Sequence, residues 1–120
     1  MQLSVFQERR QVDSLEDLHA ALLHRHQGQF GAFWLSTTRC PSIGLFINHE
    51  SACLFFIREE GDPGFHSLGV QSDNFEDETE FLIDNYQCDL YPQAMIVPAA
   101  AGIAAVEEFF ETGKLPKKVK

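Results

Sequence analysis

A turn of sequence Asp62-Pro63-Gly64 constrains the fold of this chain more than any other short segment. It joins the most apolar run of the sequence, residues 52–57, to a second extended run at residues 65–70. Proline in the second position of such a turn fixes φ at about −65°, and the glycine that follows it tolerates positive φ. The segment therefore predicts a rigid corner between two β-strands.

The same corner lies at the start of a long block of negative charge. Residues 59–113 contain 13 Asp and Glu and no Lys or Arg, whereas the other 65 residues contain 5 acids and all 9 bases. The block contributes −13 and the rest +4 to the net charge of −9. Such a surface disfavours direct contact with nucleic-acid phosphates, which bind Lys and Arg, and favours a basic protein partner. Solubility alone also explains an acidic protein, although a surface that serves solubility usually mixes both signs.

Two helices are predicted near the ends of the chain. Ser14 followed by Asp17 three residues later is the capping-box pattern, and leucines follow at helical spacing to a stop at Gly28, with His24, Arg25 and His26 in the last turn. The second helix is predicted from Pro98 to Gly113. Its apolar stripe is predicted at four positions: Ala99, Ile103, Val106 and Phe110.

Between the helices, and before the first one, the apolar period is two, which predicts β-strands. The predicted strands cover residues 3–5, 31–37, 43–47, 52–57, 65–71, 79–84 and 87–91. Residues 52–57 are apolar on both faces, so we expect a central strand that is covered on both sides or partly covered by a partner. The sequence predicts one α+β domain over residues 1–120: an antiparallel meander sheet of about five to six strands packed with an N-terminal and a C-terminal helix.

Residue patterns that carry chemistry are weak in this chain. Its three cysteines, Cys40, Cys53 and Cys88, are widely spaced without a C-x-x-C motif, so neither a disulfide framework nor a zinc ribbon is predicted. His24 and His26 are two residues apart on a predicted helix and do not converge on one ion. We predict no metal, no cofactor, no catalytic residue and no enzyme. The alternative is a small hydrolase with Cys53 or Cys88 as the nucleophile and His66 as its base.

Two further residues keep two interpretations each. His66 is either a partly buried structural histidine or a contact residue beside the acidic corner. Trp34 is either a core residue or a hot spot of an interface. No apolar run approaches the roughly 20 residues of a membrane-spanning helix, and the N-terminus lacks the order of a signal peptide. We therefore expect a cytoplasmic protein without membrane contact.

Two segments together carry a family resemblance. Residues 59–69, Glu59-Glu60-Gly61-Asp62-Pro63-Gly64-Phe65-His66-Ser67-Leu68-Gly69, resemble the E-x-G-D-P-G-F-x-S-x-G segment of one family of bacterial polymorphic-toxin immunity proteins. Val97-Pro98 and residues 104–116 resemble the closing helix of that family and its T-G-x-x-P exit. With the matching order of elements, the resemblance covers about two thirds of the chain.

The resemblance implies a non-enzymatic protein that binds and silences a cognate toxin domain in a one-to-one complex. Members of this family are typically encoded beside nucleic-acid deaminase toxins. A deaminase that acts on nucleic acid needs a basic groove leading to its zinc-bound water, and an acidic surface can occupy that groove. The predicted toxin-binding residues come from the corner and the loop after it: Glu59, Glu60, Asp62, His66, Asp73, Glu76, Asp77 and Glu78.

Two alternatives to this interpretation stay open. A non-catalytic regulatory or scaffold module that binds another basic protein would use the same acidic surface. In the second alternative, the geometry of the turn alone explains the presence of Gly61, Pro63, Gly64 and Gly69, and binding uses other loops.

Overall fold

In the part of the chain that the structure describes, a seven-stranded antiparallel sheet carries two helices on one face and a β-hairpin on the other. The structure is a computed structural model, and it describes residues 1–6, 8–25, 28–37, 40–59, 64–67, 78–84, 87–114 and 116. The strands are β1 (Gln2–Val5), β2 (Glu8–Gln11), β3 (Phe30–Ser36), β4 (Ser42–Asn48), β5 (Ser51–Ile57), β6 (Phe65–His66), β7 (Glu78–Asp84), β8 (Gln87–Pro92) and β9 (Val97–Pro98). The helices are α1 (Leu15–Leu22) and α2 (Ala99–Thr112). The predicted α+β fold is confirmed.

The main sheet has the order β2-β1-β3-β4-β5-β6, and β9 pairs with β5 on the same edge as β6. The predicted meander runs from β3 to β6, whereas β7 and β8 leave it and pair only with each other among the described strands. Strand β2 was not expected from the sequence. Its four residues are all exposed, since it is an edge strand with no buried face, and no apolar alternation marks it.

Helix α1 begins as predicted, with the Ser14 hydroxyl accepting a hydrogen bond from the backbone N–H of Asp17 at 3.1 Å. It ends at Leu22, earlier than the predicted stop at Gly28, so the expected position of His24 and Arg25 in the last turn was wrong. The guanidinium of Arg25 nevertheless donates to the carbonyl of Leu22, which places positive charge at the carboxyl end of the helix. His26 lies outside the described residues.

Helix α2 starts after Pro98 and is closed by Gly113, whose φ of 69° is left-handed and whose N–H donates to the carbonyl of Phe109. The predicted stripe was rotated by part of a turn. The most buried positions are Gly102, Ala105, Val106 and Phe109, while Ala99, Ile103 and Phe110 flank them. Gly102 permits a close approach to the sheet at this point, because a Cβ there would lie 2.8 Å from Leu45 and 3.1 Å from Ala52. The helix therefore rests on the sheet through its glycine.

The two faces of the sheet bury separate apolar clusters. The larger cluster joins the sheet to both helices, and α1 contacts α2 through a 2.8 Å hydrogen bond between His19 and Glu107. The smaller cluster lies under the hairpin β7–β8 and is built on Phe81. Strand β5 contributes to both, with Leu54 in the first and Cys53 in the second. This agrees with the expectation of a central strand covered on both sides.

Candidate functional site: an aromatic cleft beside the acidic corner

The hairpin β7–β8 covers only part of its face of the sheet. Phe81 fills the covered part, against Phe46 and Cys53 among others, and the Asn48 side chain donates to the backbone carbonyl of Glu80 at 2.8 Å. Beyond this contact Trp34 and Phe55 are only half-buried. The uncovered part forms a cleft of about 330 Å³, here called the aromatic cleft, lined by Trp34, Phe46, Phe55, Ile57, Gly64, Phe65 and Tyr91.

A continuous row of aromatic rings forms the wall of this cleft. The centroids of Trp34 and Phe46 are 6.1 Å apart, those of Phe46 and Phe55 are 5.8 Å apart, and those of Phe55 and Tyr91 are 5.4 Å apart. Tyr91 continues the row to Phe81 at 5.9 Å, which anchors it in the covered part of the face. All four pairs are inclined rather than stacked in parallel, and the pairs Trp34–Phe46 and Phe46–Phe55 have the edge-to-face geometry that aromatic quadrupoles favour.

Trp34 is held in place by a glycine on the neighbouring strand. Gly44 is its register partner on β4, and a Cβ at Gly44 would lie 2.8 Å from two atoms of the indole ring. The indole therefore lies directly against the β4 backbone while it also lines the cleft. The interpretation of Trp34 as a core residue is met in part, since the ring packs on the sheet but is only half-buried. Its role as an interface hot spot stays a prediction.

A carboxylate lies beside the cleft at Tyr91. Asp89 and Tyr91 are two residues apart on β8, so their side chains share one face of the strand. Burial of the phenol is the largest cause that raises the pKa of Tyr91 above its ordinary value. The negative charge of Asp89, whose carboxylate is hydrogen-bonded to the phenol, raises this pKa further. The apolar wall therefore meets negative charge at its hairpin end.

Gly64 and Phe65, which follow the acidic segment in the sequence, also line the cleft. Gly64 has a φ of 85°, and a Cβ there would lie 3.0 Å from the carbonyl oxygen of Phe56, so a glycine is required on both counts. Phe65 follows Gly64, pairs with Phe56 on β5, and carries the guanidinium of Arg58 over its ring at 4.7 Å. The turn chemistry expected at Gly64 is confirmed, while Asp62 and Pro63 lie outside the described residues.

Three of the predicted toxin-binding residues are described, and each is exposed and near in sequence or register to a residue that lines the cleft: Glu59, His66 and Glu78. Glu59 follows the cleft residue Ile57 by two positions. His66 follows Phe65, and Glu78 precedes Thr79, the register partner of Tyr91. The exposure of His66 contradicts the interpretation as a partly buried histidine. The other five predicted residues lie outside the described part of the chain: Glu60, Asp62, Asp73, Glu76 and Asp77.

The cysteines considered as nucleophiles have environments that disfavour the thiolate. Burial raises the pKa of the Cys53 thiol to about 12. Cys88 is exposed, and its pKa is raised chiefly by a hydrogen bond with Glu80. Since the thiolate is the reactive form, both thiols are poor nucleophiles at neutral pH. Among the described residues no group of three or more His, Cys, Asp and Glu is placed to hold a metal ion.

The aromatic cleft as a unit was not predicted from the sequence. Trp34 and the two-sided apolar character of residues 52–57 were the available signals, and both concern residues that line it. The wall also needs Phe46 from β4 and Tyr91 from β8, and no local pattern tells which distant strands meet.

Comparison with known proteins leaves the identity of the chain open. No family model matches it, and no curated protein is significantly similar to it in sequence. Within the described residues no helix is long and apolar enough to cross a membrane. A function must therefore be argued from the surface itself.

Proposed function

We propose that this protein is an immunity protein, which binds a cognate bacterial toxin domain and neutralises it without catalysis. The observation that carries the proposal is that an accessible aromatic cleft is lined by Ile57 and Tyr91, with the exposed acid Glu59 two residues after Ile57 and the exposed acid Glu78 one residue before the register partner of Tyr91. The acidic surface covers the basic active-site cleft of the toxin and so excludes its substrate. The resemblance of residues 59–69 to one immunity-protein family supports the same proposal.

The charge distribution supports a basic partner. Residues 59–113 carry 13 acids and no base, and within this block Glu59, Glu78, Glu80 and Glu111 are exposed. Charges of one sign attract a partner of the opposite sign over several ångströms and raise the rate of association. A toxin that acts on nucleic acid has such a basic groove, because it must bind phosphates. We propose a nucleic-acid deaminase as the toxin, in a one-to-one complex in the cytoplasm.

The aromatic cleft supports a protein interface rather than a surface that serves solubility alone. Interfaces concentrate their binding energy in a few aromatic and arginine residues that become fully desolvated on association. Trp34, Phe55 and Tyr91 are half-buried in the free protein and lie within one row of rings. A partner that covers them would remove their remaining apolar surface from water.

Neutralisation of the toxin encoded beside this protein is the direct test. We expect the purified protein to bind the isolated toxin domain with a dissociation constant of about 1 nM to 1 μM, measured by calorimetry. It should also suppress deamination of a nucleic-acid substrate in proportion to the complex formed. Binding without suppression would favour the scaffold alternative, and the absence of binding would contradict the proposal.

A further inference from the structure

We propose that the aromatic cleft is a receptor for an arginine side chain of the partner. The cleft has a volume of about 330 Å³, within the range of side-chain and small-ligand sites. Among the residues that the structure describes, the seven that line the cleft include five aromatic residues and no charged one. The assignment of the arginine to a protein partner rests on the proposed function. The preference of the cleft for a guanidinium does not depend on that function.

The rings that line the cleft are suited to a cation. The face of an aromatic ring is negative and attracts cations, most strongly for Trp. Neighbouring rings along the wall are inclined at 78°, 68° and 59°, so they do not cover one another's faces by parallel stacking. Trp34 is pressed against Gly44 and needs little reorganisation to receive a ligand.

The charges around the cleft select a positively charged occupant over a neutral one. Asp89 lies beside Tyr91, and Glu59 follows Ile57 by two residues, while the guanidinium of Arg58 lies over the ring of Phe65. Two acids and one base therefore leave a net negative charge next to residues that line the cleft. A purely apolar side chain would fill the volume without balancing this charge.

Arginine fits these features better than lysine. Its guanidinium is planar and weakly hydrated, so it stacks on rings while its N–H groups remain free to reach a carboxylate. The protein already makes this contact once on the same edge of the sheet, where the guanidinium of Arg58 lies 4.7 Å from the centroid of Phe65. We infer that the partner supplies a second guanidinium, stacked within the cleft and directed to Asp89.

Trp34 is the only tryptophan of the chain, so its indole resonance and fluorescence report on the cleft directly. The probes are four capped tripeptides, acetyl-Gly-X-Gly-amide, in which X is arginine, lysine, citrulline or leucine. We expect the arginine peptide to shift the indole N–H signal in a saturable way with millimolar affinity, and the neutral citrulline peptide to bind at least about threefold more weakly. Equal or tighter binding of the citrulline or leucine peptide would overturn the inference, as would the absence of any shift.

Variants of the hairpin locate the response. Tyr91→Leu should weaken binding of the arginine peptide by about threefold or more, while Tyr91→Phe should retain most of the affinity. Asp89→Asn should reduce the preference of the cleft for the arginine peptide over the citrulline peptide. This variant tests the site independently if Tyr91→Leu does not fold. The control is Leu90→Ala on the same strand, because Leu90 is 59% exposed and does not line the cleft. If the control weakens binding as much as Tyr91→Leu and Asp89→Asn do, the site lies elsewhere.

The two proposals fail in different ways. If the toxin is neutralised while none of the peptides perturbs Trp34, the arginine receptor is wrong and the immunity function stands. If the arginine peptide binds at the cleft and no toxin is neutralised, the cleft serves another basic partner.

Discussion

Ser67 pairs with Leu54 through its backbone and its side chain at once. The Ser67 N–H donates to the carbonyl of Leu54 at 2.9 Å, and the N–H of Leu54 donates to the Ser67 hydroxyl at 3.0 Å. The same hydroxyl donates to the carbonyl of Met95 at 2.5 Å. Leu54 falls between the segments of β5 that pair with β6 and with β9. One buried serine thus completes the edge of the central strand between two short partners.

Replacing Ser67 with alanine should lower the free energy of unfolding by about 1–3 kcal/mol, because the N–H of Leu54 and the carbonyl of Met95 are then buried without their partner. Ser67 is 2% exposed, so water cannot replace the hydroxyl without a rearrangement. Urea denaturation followed by circular dichroism measures the change. The exposed Ser14→Ala variant loses only a helix cap and should cost about 1 kcal/mol. A Ser67→Ala variant as stable as the wild type would contradict this account of the sheet edge.

Replacing Gly102 with alanine should destabilise the protein although alanine favours helices. The added Cβ would lie 2.8 Å from Leu45 and 3.1 Å from Ala52, both of which are fully buried. We expect a net loss of about 1 kcal/mol, since overpacking of a core costs about 1–3 kcal/mol and the gain in helix propensity is about 1 kcal/mol. Thermal unfolding checks this. The additional substitution Leu45→Val should recover part of the loss, and stabilisation by Gly102→Ala alone would show that the contact is not tight.

Stability should depend on pH through Cys53. Burial raises the pKa of this thiol from 9.0 to about 12, so the folded protein keeps a proton that the unfolded chain loses above pH 9.0. The protonated thiol makes its full contribution to the free energy of unfolding below pH 9.0. This contribution should be lost as the pH rises toward 12, by up to about 1.4 kcal/mol per pH unit. The Cys53→Ala variant lacks this titration. The difference between the unfolding free energies of wild type and variant should therefore shrink between about pH 8 and about pH 10.5; parallel pH profiles would rule the effect out.

Charge reversal at Glu59 and Glu78 should slow association with the proposed toxin partner. In the double variant Glu59→Lys and Glu78→Lys, two exposed acids become bases, and we expect the association rate at low salt to fall by about tenfold. Its dependence on ionic strength should weaken as well. Each single reversal, Glu59→Lys or Glu78→Lys, is compared with Glu111→Lys on α2, which changes the net charge by the same amount at an exposed acid on the helix face of the sheet. Surface plasmon resonance at several salt concentrations measures the association rates. If Glu111→Lys slows association as much as the substitutions at Glu59 and Glu78 do, the interface is not at the cleft.

Gly44→Ala should disturb the cleft through Trp34. An added Cβ would lie 2.8 Å from the indole, so the ring must turn away, toward water. We expect a red-shifted tryptophan emission and loss of arginine-peptide binding, with a stability cost of about 1–3 kcal/mol. Ser4 is the register partner of Trp34 on the other side, and Ser4→Ala should leave the emission unchanged. Unchanged emission in Gly44→Ala would mean that the glycine does not position the ring.

Local patterns were sufficient to predict most elements of the fold. The Ser14 cap and the Gly113 stop act within one turn of a helix, and the strands β3, β4, β5, β7 and β8 have alternating or fully apolar residues. The rotated stripe of α2 was wrong because the contact of Gly102 with Leu45 and Ala52 counts only after the helix has docked. Strand β2 was missed because an exposed edge strand needs no apolar pattern.

The candidate site was harder to predict for the same reason. The acids around the corner stand out in the sequence, and Glu59 and Glu78 are indeed exposed. The aromatic cleft depends on where the hairpin lies, and that is set by contacts such as Asn48 with Glu80, 32 residues apart in the chain. No short-range signal encodes such a contact. The sequence alone could therefore not show that Phe46 and Tyr91 belong to one wall of the aromatic cleft.

The separation of the two apolar clusters has a consequence for how this protein can diverge. Among the described residues the helix-side cluster has 18 buried members and the hairpin-side cluster has five. Since buried apolar area supplies most of the stability of a domain, the layer that keeps the chain folded is largely distinct from the layer that bears the cleft. Substitutions in the cleft layer can then change which partner is accepted while the helix layer preserves the fold.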